Sequence, residues 1–231
     1  MHFIYICERY VSFLRYRLLN KNEINETLEI LQENYPDPMC GLNFNTPFEL
    51  LLSLILAAQC TDNRVNIIRP ILTKKYPTPY DISKLSYKQV YEIIKSCSFP
   101  NNKAKHIVDA CKMLVEKYDS VVPNNMDELT KIPGIGRKSA NIILSDAYGL
   151  CEGIAVDTHV TRLSKKIGFT NSTDVVIIEK DLMKKIPKEL WPSINHILVE
   201  HGKNVCNARK PNCGTCCINK LCREYKHIKT S

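Results

Sequence analysis

Lys138 is the side chain of this sequence best placed to act as a nucleophile, because of the segment that precedes it. That segment reads Pro133, Gly134, Ile135, Gly136 and Arg137. Two glycines one residue apart allow a tight turn with exposed backbone amides, and a helix is predicted to begin near Arg137. Amides at a helix N-terminus bind phosphate, while burial, the helix dipole and the neighbouring arginine favour the neutral, nucleophilic amine of Lys138. An ordinary helical turn with a solvated lysine is an equally good interpretation of this local sequence.

Four cysteines near the C-terminal end have the spacing of a metal centre. Cys206, Cys213, Cys216 and Cys222 fall within 17 residues. Thiolates on one short loop converge only around something that compensates their charge, such as zinc or an iron–sulfur cluster. Only Cys213 and Cys216 form a close pair, and the spacings from this pair to Cys206 and to Cys222 are unequal. Structural zinc sites, in contrast, tend to have two close pairs. The spacing therefore favours a [4Fe–4S] cluster without settling the choice. Cys217 is expected to be a bystander, because adjacent side chains point in different directions.

The overall composition indicates an anionic partner and a reducing compartment. The net charge is 32 − 24 = +8, and residues 203–231 contain seven Lys or Arg against one acidic residue. Within this tail we expect Arg209, Lys210 and Lys220 to contact phosphates. Eleven cysteines, an odd number, fit reduced thiols and a metal site better than disulfides. The seven cysteines other than these four candidate ligands are predicted to be mostly small buried hydrophobic residues: Cys7, Cys40, Cys60, Cys97, Cys111, Cys151 and Cys217.

The elements that position these groups are predicted to be helices throughout, which makes the fold class all-α. No segment shows the sustained alternation of apolar and polar residues that is typical of strands. Asn22–Asn34 is amphipathic, Ala104–Tyr118 has apolar residues at spacings of three and four, and Phe48–Ala58 is apolar on nearly every side. The last of these is expected to be a buried central helix, because it is too short to cross a bilayer.

The segments around the candidate site have recognisable caps and stops. Asp127 is predicted to cap a short helix over Glu128–Ile132, and the helix after the hairpin is predicted to run through Ala147 and to stop near Gly149. Asp157 is a natural N-cap for a helix that ends at Ile167. Ser98–Lys103 is predicted to be a loop.

The first twenty residues are apolar and aromatic but are interrupted by charges. No uninterrupted apolar run there reaches 18 residues, so we expect no membrane association. No small-residue cleavage site marks a secretory signal. An additional amphipathic helix, a start codon assigned too far upstream and an organelle-targeting segment remain alternatives, but we favour a dispensable extension over residues 1–20.

Three motifs taken together resemble the endonuclease III family, the helix-hairpin-helix DNA glycosylases with a C-terminal iron–sulfur loop. They are Pro133 to Lys138, Val156-Asp157-Thr158-His159, and the loop from Cys206 to Cys222. Ala58-Gln59 with Thr61-Asp62 also fits the family. The likeness runs from about residue 22 to residue 225.

The resemblance implies an enzyme that excises oxidised pyrimidines from duplex DNA and cleaves the resulting abasic strand by β-elimination. It implies two helical lobes: a six-helix lobe over 41–150, and an iron–sulfur lobe over 21–40 and 151–231. The implied cofactor is a [4Fe–4S] cluster. We expect a monomer, working in the cytoplasm on the nucleoid of a bacterium, or in the nucleus or an organelle of a eukaryote.

The resemblance also implies roles for individual residues. Lys138 would attack C1′ of the sugar, and Asp157 would be the carboxylate that assists base release. Gln59 would fill the gap left by the extruded base, and Phe99 would wedge from the opposite strand. A smaller aliphatic residue is usual at the wedge, so Phe99 before Pro100 puts the opposite-base preference in doubt. The simpler interpretations are a capped helix end for Gln59 and a packed aromatic for Phe99.

Two other functions compete with this one. An adenine-specific glycosylase of the same superfamily lacks a lysine at the position of Lys138 and has a long additional C-terminal domain. A non-catalytic iron–sulfur protein would use the hairpin only to bind phosphate. His159 and His201 are interpreted as packing or capping residues, because four cysteines already complete a metal site.

Overall fold

The computed structural model describes residues 17–228, and the regular elements in that range are helices. The α-helices are α1 (Lys21–Asn34), α2 (Pro47–Ala57), α3 (Asp62–Lys75), α4 (Pro79–Ser83), α5 (Tyr87–Ile94), α6 (Pro100–Lys117), α7 (Met126–Leu129), α8 (Arg137–Ile142), α9 (Thr158–Ile167), α10 (Val175–Lys185), α11 (Trp191–Asn204) and α12 (Arg223–Ile228). A π-helical turn, Ile143–Ala147, continues α8, and 3-10 turns lie at Lys188–Leu190 and Cys213–Thr215. The predicted all-α class is confirmed.

The predictions about the N-terminal extension mostly concern residues 1–16, which lie outside the described range. Among residues 17–228, none of the helices combines the length and the apolar character needed to cross a membrane.

Most long helices begin where a side chain accepts a hydrogen bond from a free backbone amide. Thr46 Oγ1 accepts from Glu49 N at the start of α2, and Thr61 Oγ1 accepts from Arg64 N at the start of α3. Such caps each stabilise a helix by about 1 kcal/mol. α2 also has proline at its first position, where no amide hydrogen is needed.

Three predicted boundaries are wrong. Asn125, not Asp127, caps α7, since Asn125 Oδ1 accepts from Glu128 N at 2.9 Å, and α7 ends at Leu129 instead of Ile132. The predicted loop over Ser98–Lys103 is helical from Pro100 onwards, because proline is well tolerated in the first turn of a helix. The helix after the hairpin runs through Ala147 as predicted, and its last turn, Ile143–Ala147, is π-helical.

The chain divides into two compact units, Cys40–Glu152 and the remainder. In the unit Cys40–Glu152, α2 is the central helix, and four of its leucines have no exposed surface: Leu50, Leu51, Leu52 and Leu56. α2 packs against α3, and α6 packs against α4 and α5. This unit begins one residue before and ends two residues after the six-helix lobe predicted over 41–150.

The other unit combines residues 17–39 with residues 153–228. Its core is formed by apolar side chains of α1, α9, α10 and α11 around the fully buried Phe169. Ile218, from the cysteine loop, is also buried in this core. The loop is therefore attached to the unit by packing as well as by its own side chains.

A capping box with an ion pair fixes the start of α1. Asn20 Oδ1 accepts from Glu23 N, and Glu23 Oε2 accepts from Asn20 N, both at 3.0 Å. The Arg17 guanidinium donates to both carboxylate oxygens of Glu23, at 2.7 and 2.8 Å. This pair, with help from the Asn20 amide and Lys226, lowers the pKa of Glu23 from 4.5 to about 2.

We expect Glu23→Gln to lower the free energy of unfolding by about 1 kcal/mol at pH 7, a value reduced for solvent screening of this partly exposed pair. Glutamine keeps the capping box, so the change removes only the charge. A carboxylate with a lowered pKa stabilises the fold fully above its unfolded value of 4.5 and loses that effect as the pH falls towards 2. Urea unfolding of both proteins should therefore show the difference shrinking below pH 4.5. A difference that stays constant over that range, or that appears equally for the exposed Glu26→Gln control, would contradict this assignment.

Candidate functional site

The glycine hairpin between α7 and α8 is a tight, crowded turn. Ile135 N donates to Ile132 O at 3.0 Å, and the Ile135 side chain is buried. Gly134 has φ +85°, and a Cβ there would lie 3.2 Å from both His106 and Ile55. Both its backbone conformation and its surroundings therefore require glycine at position 134.

The second glycine of the hairpin, in contrast, faces open space. Gly136 is the N-cap of α8 with an extended backbone (φ −100°, ψ 177°), a conformation that any residue adopts. A Cβ built on Gly136 would have no atom within 4 Å. The hairpin is thus open on the side where a ligand's backbone or phosphate would approach the amides at the start of α8.

Lys138 lies in the first turn of α8, next to Arg137, and both side chains are exposed. The prediction that burial helps to make Lys138 reactive is therefore wrong for the protein without DNA.

The predicted end of this helix near Gly149 is confirmed, since Gly149 has φ +65° and its amide donates to Ser145 O at 3.1 Å.

Gln59 and Phe99, which lie in the same unit as the hairpin, have unusual backbone conformations. Their φ values are 52° and 53°, in the left-handed region that residues other than glycine rarely adopt. Both side chains are exposed, and 59% of the Phe99 surface is accessible. Among residues 17–228, Asp119 and Ser120 are the other non-glycine residues with positive φ. Strained backbone of this kind clusters at functional sites.

Asp157 belongs to the second unit, where it caps α9 as predicted. Its Oδ1 accepts from Val160 N at 2.8 Å, and the side chain is half-buried. The segment before it, residues 153–156, is buried, and Asn195 Nδ2 donates to Ala155 O at 2.8 Å. Asp157 therefore stands at the end of a firmly held segment.

The four predicted metal ligands share one cavity of the second unit. Cys206, Cys213, Cys216 and Cys222 line it, together with His201, Ile218 and other residues of the loop and α11. Cys217 is not one of the lining residues. Within residues 17–228, no three His, Cys, Asp or Glu side chains meet around a single point as the ligands of one ion would.

The chemistry of this cavity fits a cationic group. Burial raises the pKa of the Cys206 and Cys222 thiols, so these thiols stay protonated unless positive charge is supplied. A metal centre supplies that charge and deprotonates its thiol ligands. The four-thiol wall is therefore a suitable donor set for an iron–sulfur cluster.

Two residues that the sequence analysis did not single out hold the loop in place. Arg162 Nη2 donates to Cys206 O at 2.9 Å and lies 3.3 Å from Gly202 O. A Cβ on Gly202 would lie 2.6 Å from His159 Nδ1, so this glycine allows α9 and α11 to approach closely. A single cation and a single glycine carry no distinctive pattern in the sequence.

His201 is buried between the core and the cysteine loop. Its Nδ1 lies 2.8 Å from the Tyr35 hydroxyl, and its Nε2 lies 3.6 Å from Cys216 Sγ. With 1% of its surface exposed, His201 is a packing residue, as expected, that also contacts a candidate ligand. The basic side chains of the loop are exposed: Arg209, Lys210 and Lys220.

Comparisons with known proteins find relatives over most of this chain. Residues 52–188 match the family model described as HhH-GPD superfamily base excision DNA repair protein. The chain is 45% identical to endonuclease III of Synechocystis sp., across 91% of this chain and 96% of that protein. It is 40% identical to endonuclease III of Escherichia coli, across 90% and 98% of the two chains.

Solved structures give the same result for the fold. A trapped endonuclease III–DNA covalent intermediate is 42% identical and superposes with a TM-score of 0.87, covering 92% of this chain and all of that chain. A thermostable thymine-DNA glycosylase, at 19% identity and a TM-score of 0.80, shares the fold, with 89% of this chain covered and 98% of the other.

Proposed function

This chain belongs to the endonuclease III family of base excision DNA repair proteins and is a DNA glycosylase with AP lyase activity, and we propose that it excises oxidised pyrimidines through an imine on Lys138. The observation that carries this proposal is an exposed lysine two residues after a glycine whose surroundings are open. Phosphate bound by the hairpin amides would bring the neighbouring sugar to the amine.

The proposed chemistry has four steps. The Lys138 amine attacks C1′, so that an N–C1′ bond forms and the damaged base leaves with the bonding electrons of the glycosylic bond. The nitrogen then loses its protons and the C1′–O4′ bond breaks, so that the sugar ring opens with a hydroxyl group at C4′ and the imine forms. This imine acidifies the C2′ proton, whose loss expels the 3′ phosphate. Water then hydrolyses the imine and releases the amine.

Asp157 would support these steps as a carboxylate. It would stabilise the positive charge that develops on the sugar or accept a proton from the attacking amine. One of its oxygens caps α9, and this bond fixes the orientation of the other. The cap and the catalytic role are therefore compatible.

The DNA contacts we propose follow from the hairpin and the two left-handed residues. The target base lies inside the duplex and must be flipped out, at a cost of a few kcal/mol that is smaller for a damaged base. Gln59 would replace the flipped base in the stack, and Phe99 would enter from the opposite strand. The exposed Arg209 and Lys210 would neutralise phosphates, so binding should weaken as salt rises.

We propose a [4Fe–4S] cluster held by Cys206, Cys213, Cys216 and Cys222. When bound, the cluster would cross-link the loop and supply the charge that keeps the four thiols deprotonated. We also propose that the protein acts on DNA as a monomer. It would work in the cytoplasm on the nucleoid of a bacterium, or in the nucleus or an organelle of a eukaryote.

Reductive trapping tests the proposed function. Borohydride should reduce the imine and crosslink the protein covalently to duplex DNA containing an abasic site. The competing function, a binding module without chemistry, predicts DNA binding without a crosslink. A panel of duplexes, each with a single lesion, would then rank the oxidised pyrimidines as substrates.

Cys213→Ser should lower bound iron well below about four atoms per chain, the content of one cluster, and weaken visible absorption. Cys217→Ser is the matched control, because Cys217 lies in the same loop but does not line the cavity; it should retain iron. Metal analysis of both purified variants provides the measurement. Stoichiometric zinc in the wild-type protein, or equal loss of iron from both variants, would refute the ligand assignment.

A further inference from the structure

The imidazole of His201 connects a tyrosine hydroxyl with one of the four candidate cluster ligands. His201 lies on α11 with 1% of its surface exposed, so bulk water cannot satisfy its ring nitrogens. Nδ1 lies 2.8 Å from the Tyr35 hydroxyl, and Nε2 lies 3.6 Å from Cys216 Sγ. Each nitrogen therefore has a partner within the protein, and one of these partners is a predicted ligand.

Tyr35, the residue that follows α1, fixes the orientation of the His201 ring. The two rings meet edge-on, with centroids 5.8 Å apart and planes at 83°. The tyrosine is half-buried, and burial raises the pKa of Tyr35 to about 12, so its hydroxyl keeps its proton and can donate it. The N-terminal segment of the second unit thus reaches the cysteine loop through this contact.

Ligation of Cys216 determines which nitrogen of His201 carries the hydrogen. A neutral imidazole has one donor nitrogen and one acceptor nitrogen. A metal-bound thiolate has no proton and only accepts, so Nε2 has to donate to Cys216 Sγ. Nδ1 is then the acceptor, and the Tyr35 hydroxyl at 2.8 Å is its donor. This arrangement satisfies both ring nitrogens at once.

A second candidate ligand, Cys222, behaves in the opposite way. Its Sγ donates to Lys166 O at 3.6 Å. Ligation removes the thiol proton, and a carbonyl oxygen cannot donate, so this hydrogen bond is lost when Cys222 becomes a ligand. The bond from His201 to Cys216 instead becomes charge-assisted and therefore stronger. Of these two contacts, only the one from His201 acts on a bound cluster.

We propose that His201, oriented by Tyr35, is a positioning residue that makes the cluster harder to oxidise by donating a hydrogen bond to the Cys216 thiolate. This proposal rests on the [4Fe–4S] cluster of the proposed function. Hydrogen bonds to ligating sulfur withdraw electron density, which favours the more reduced state and raises the reduction potential. The cluster then loses electrons less readily, and the loop that it cross-links stays attached in the presence of mild oxidants.

The midpoint potential of the purified, cluster-containing protein tests this role, with the protein adsorbed on an electrode. His201→Phe keeps a buried ring but removes the N–H donor. It should change the ratio of oxidised to reduced cluster about tenfold, which lowers the midpoint potential of a one-electron couple by about 59 mV. His201→Gln, whose amide can still donate near the position of Nε2, should restore most of that shift. An unchanged potential in His201→Phe, or equal shifts in both variants, would overturn the proposal.

Trp191→Phe is the matched control for these variants. Trp191 also lies on α11 and packs against the same core, and its indole N–H donates to Ile186 O at 3.0 Å. It does not line the cysteine cavity. The control should lose its hydrogen bond and keep the wild-type potential. A shift as large as that of His201→Phe would show that the potential follows general loosening of the unit, which contradicts a specific role for His201.

Tyr35→Phe tests the tyrosine hydroxyl and provides a second measurement if His201→Phe does not retain the cluster. Without the hydroxyl, Nδ1 loses its donor, so the form of His201 with hydrogen on Nε2 is less strongly favoured. The midpoint potential should fall by less than the equivalent of a tenfold change, and ferricyanide should bleach the visible absorption faster than in the wild-type protein. Equal potentials and equal bleaching rates would overturn the orienting role of Tyr35.

Iron analysis separates this proposal from the ligand assignment on which it rests. Stoichiometric zinc in the wild-type protein would refute both. About four iron atoms per chain, with the same potential in wild type and His201→Phe, would refute only the role of His201. Borohydride trapping depends on Lys138, so its failure would count against the proposed catalysis and leave the measured potentials to decide the role of His201.

Discussion

Lys138→Gln is expected to abolish base release, strand cleavage and borohydride trapping while DNA binding persists. Glutamine cannot form an imine, so the covalent pathway is lost, not merely slowed. The side chain is exposed in the first turn of α8, and glutamine is a good helix former. The free energy of unfolding should therefore change by no more than about 0.5 kcal/mol. The measurements are single-turnover excision, trapping, and affinity for abasic duplex.

Arg137→Gln is the matched control for this variant. It removes an exposed cation from the adjacent position of the same helical turn. We expect weaker DNA binding with trapping retained at saturating protein, because Arg137 would contact phosphate and not the sugar carbon. Full lyase activity in Lys138→Gln, or equal loss of trapping in both variants, would show that the nucleophile lies elsewhere.

Asp157→Asn is expected to slow base excision by about a thousandfold or more with the fold intact. Asparagine caps helices as well as aspartate does, and its side-chain oxygen can keep the 2.8 Å bond to Val160 N. The substitution therefore removes the charge and spares the cap. Single-turnover excision at saturating enzyme, with thermal unfolding alongside, separates these two effects.

A second substitution at position 157 distinguishes the loss of the charge from the loss of the helix cap. Asp157→Ala removes both the charge and the cap, and should cost about 1 kcal/mol of stability in addition to the lost activity. If Asp157 were only a cap, Asp157→Asn would turn over at nearly the wild-type rate, and Asp157→Ala would lose mainly stability. Equal activity in both variants with unequal stability is the result we expect.

Local features of this fold were predictable because local chemistry determines them. The two glycines of the hairpin, the cap at Asp157 and the stop at Gly149 each depend on a few adjacent residues, and the structure has them as predicted. The start of α7 was misplaced because Asn125 and Asp127 are both good caps, and the sequence does not rank them.

Long-range features could not be predicted in this way. The burial of Lys103 depends on how α6 packs against its neighbouring helices, and the periodicity of the sequence does not contain that information. The exposure of Lys138 was missed for the same reason. The left-handed conformation of Phe99 left a partial signal, since the proline after it restricts its backbone away from the α-helical region.

If Gln59 and Phe99 enter the duplex in the conformations that they have without DNA, those conformations bear on how quickly a lesion can be found. The apparent affinity for DNA falls in proportion to the fraction of protein molecules that already have the binding conformation. Each rearrangement that binding requires therefore lowers this affinity. Here both residues hold φ values near +50° before any DNA is present, and folding has already overcome the strain of about 1 kcal/mol or more at each. A protein that samples many undamaged base pairs for each damaged one gains from this, since every sampling event begins with both turns in place.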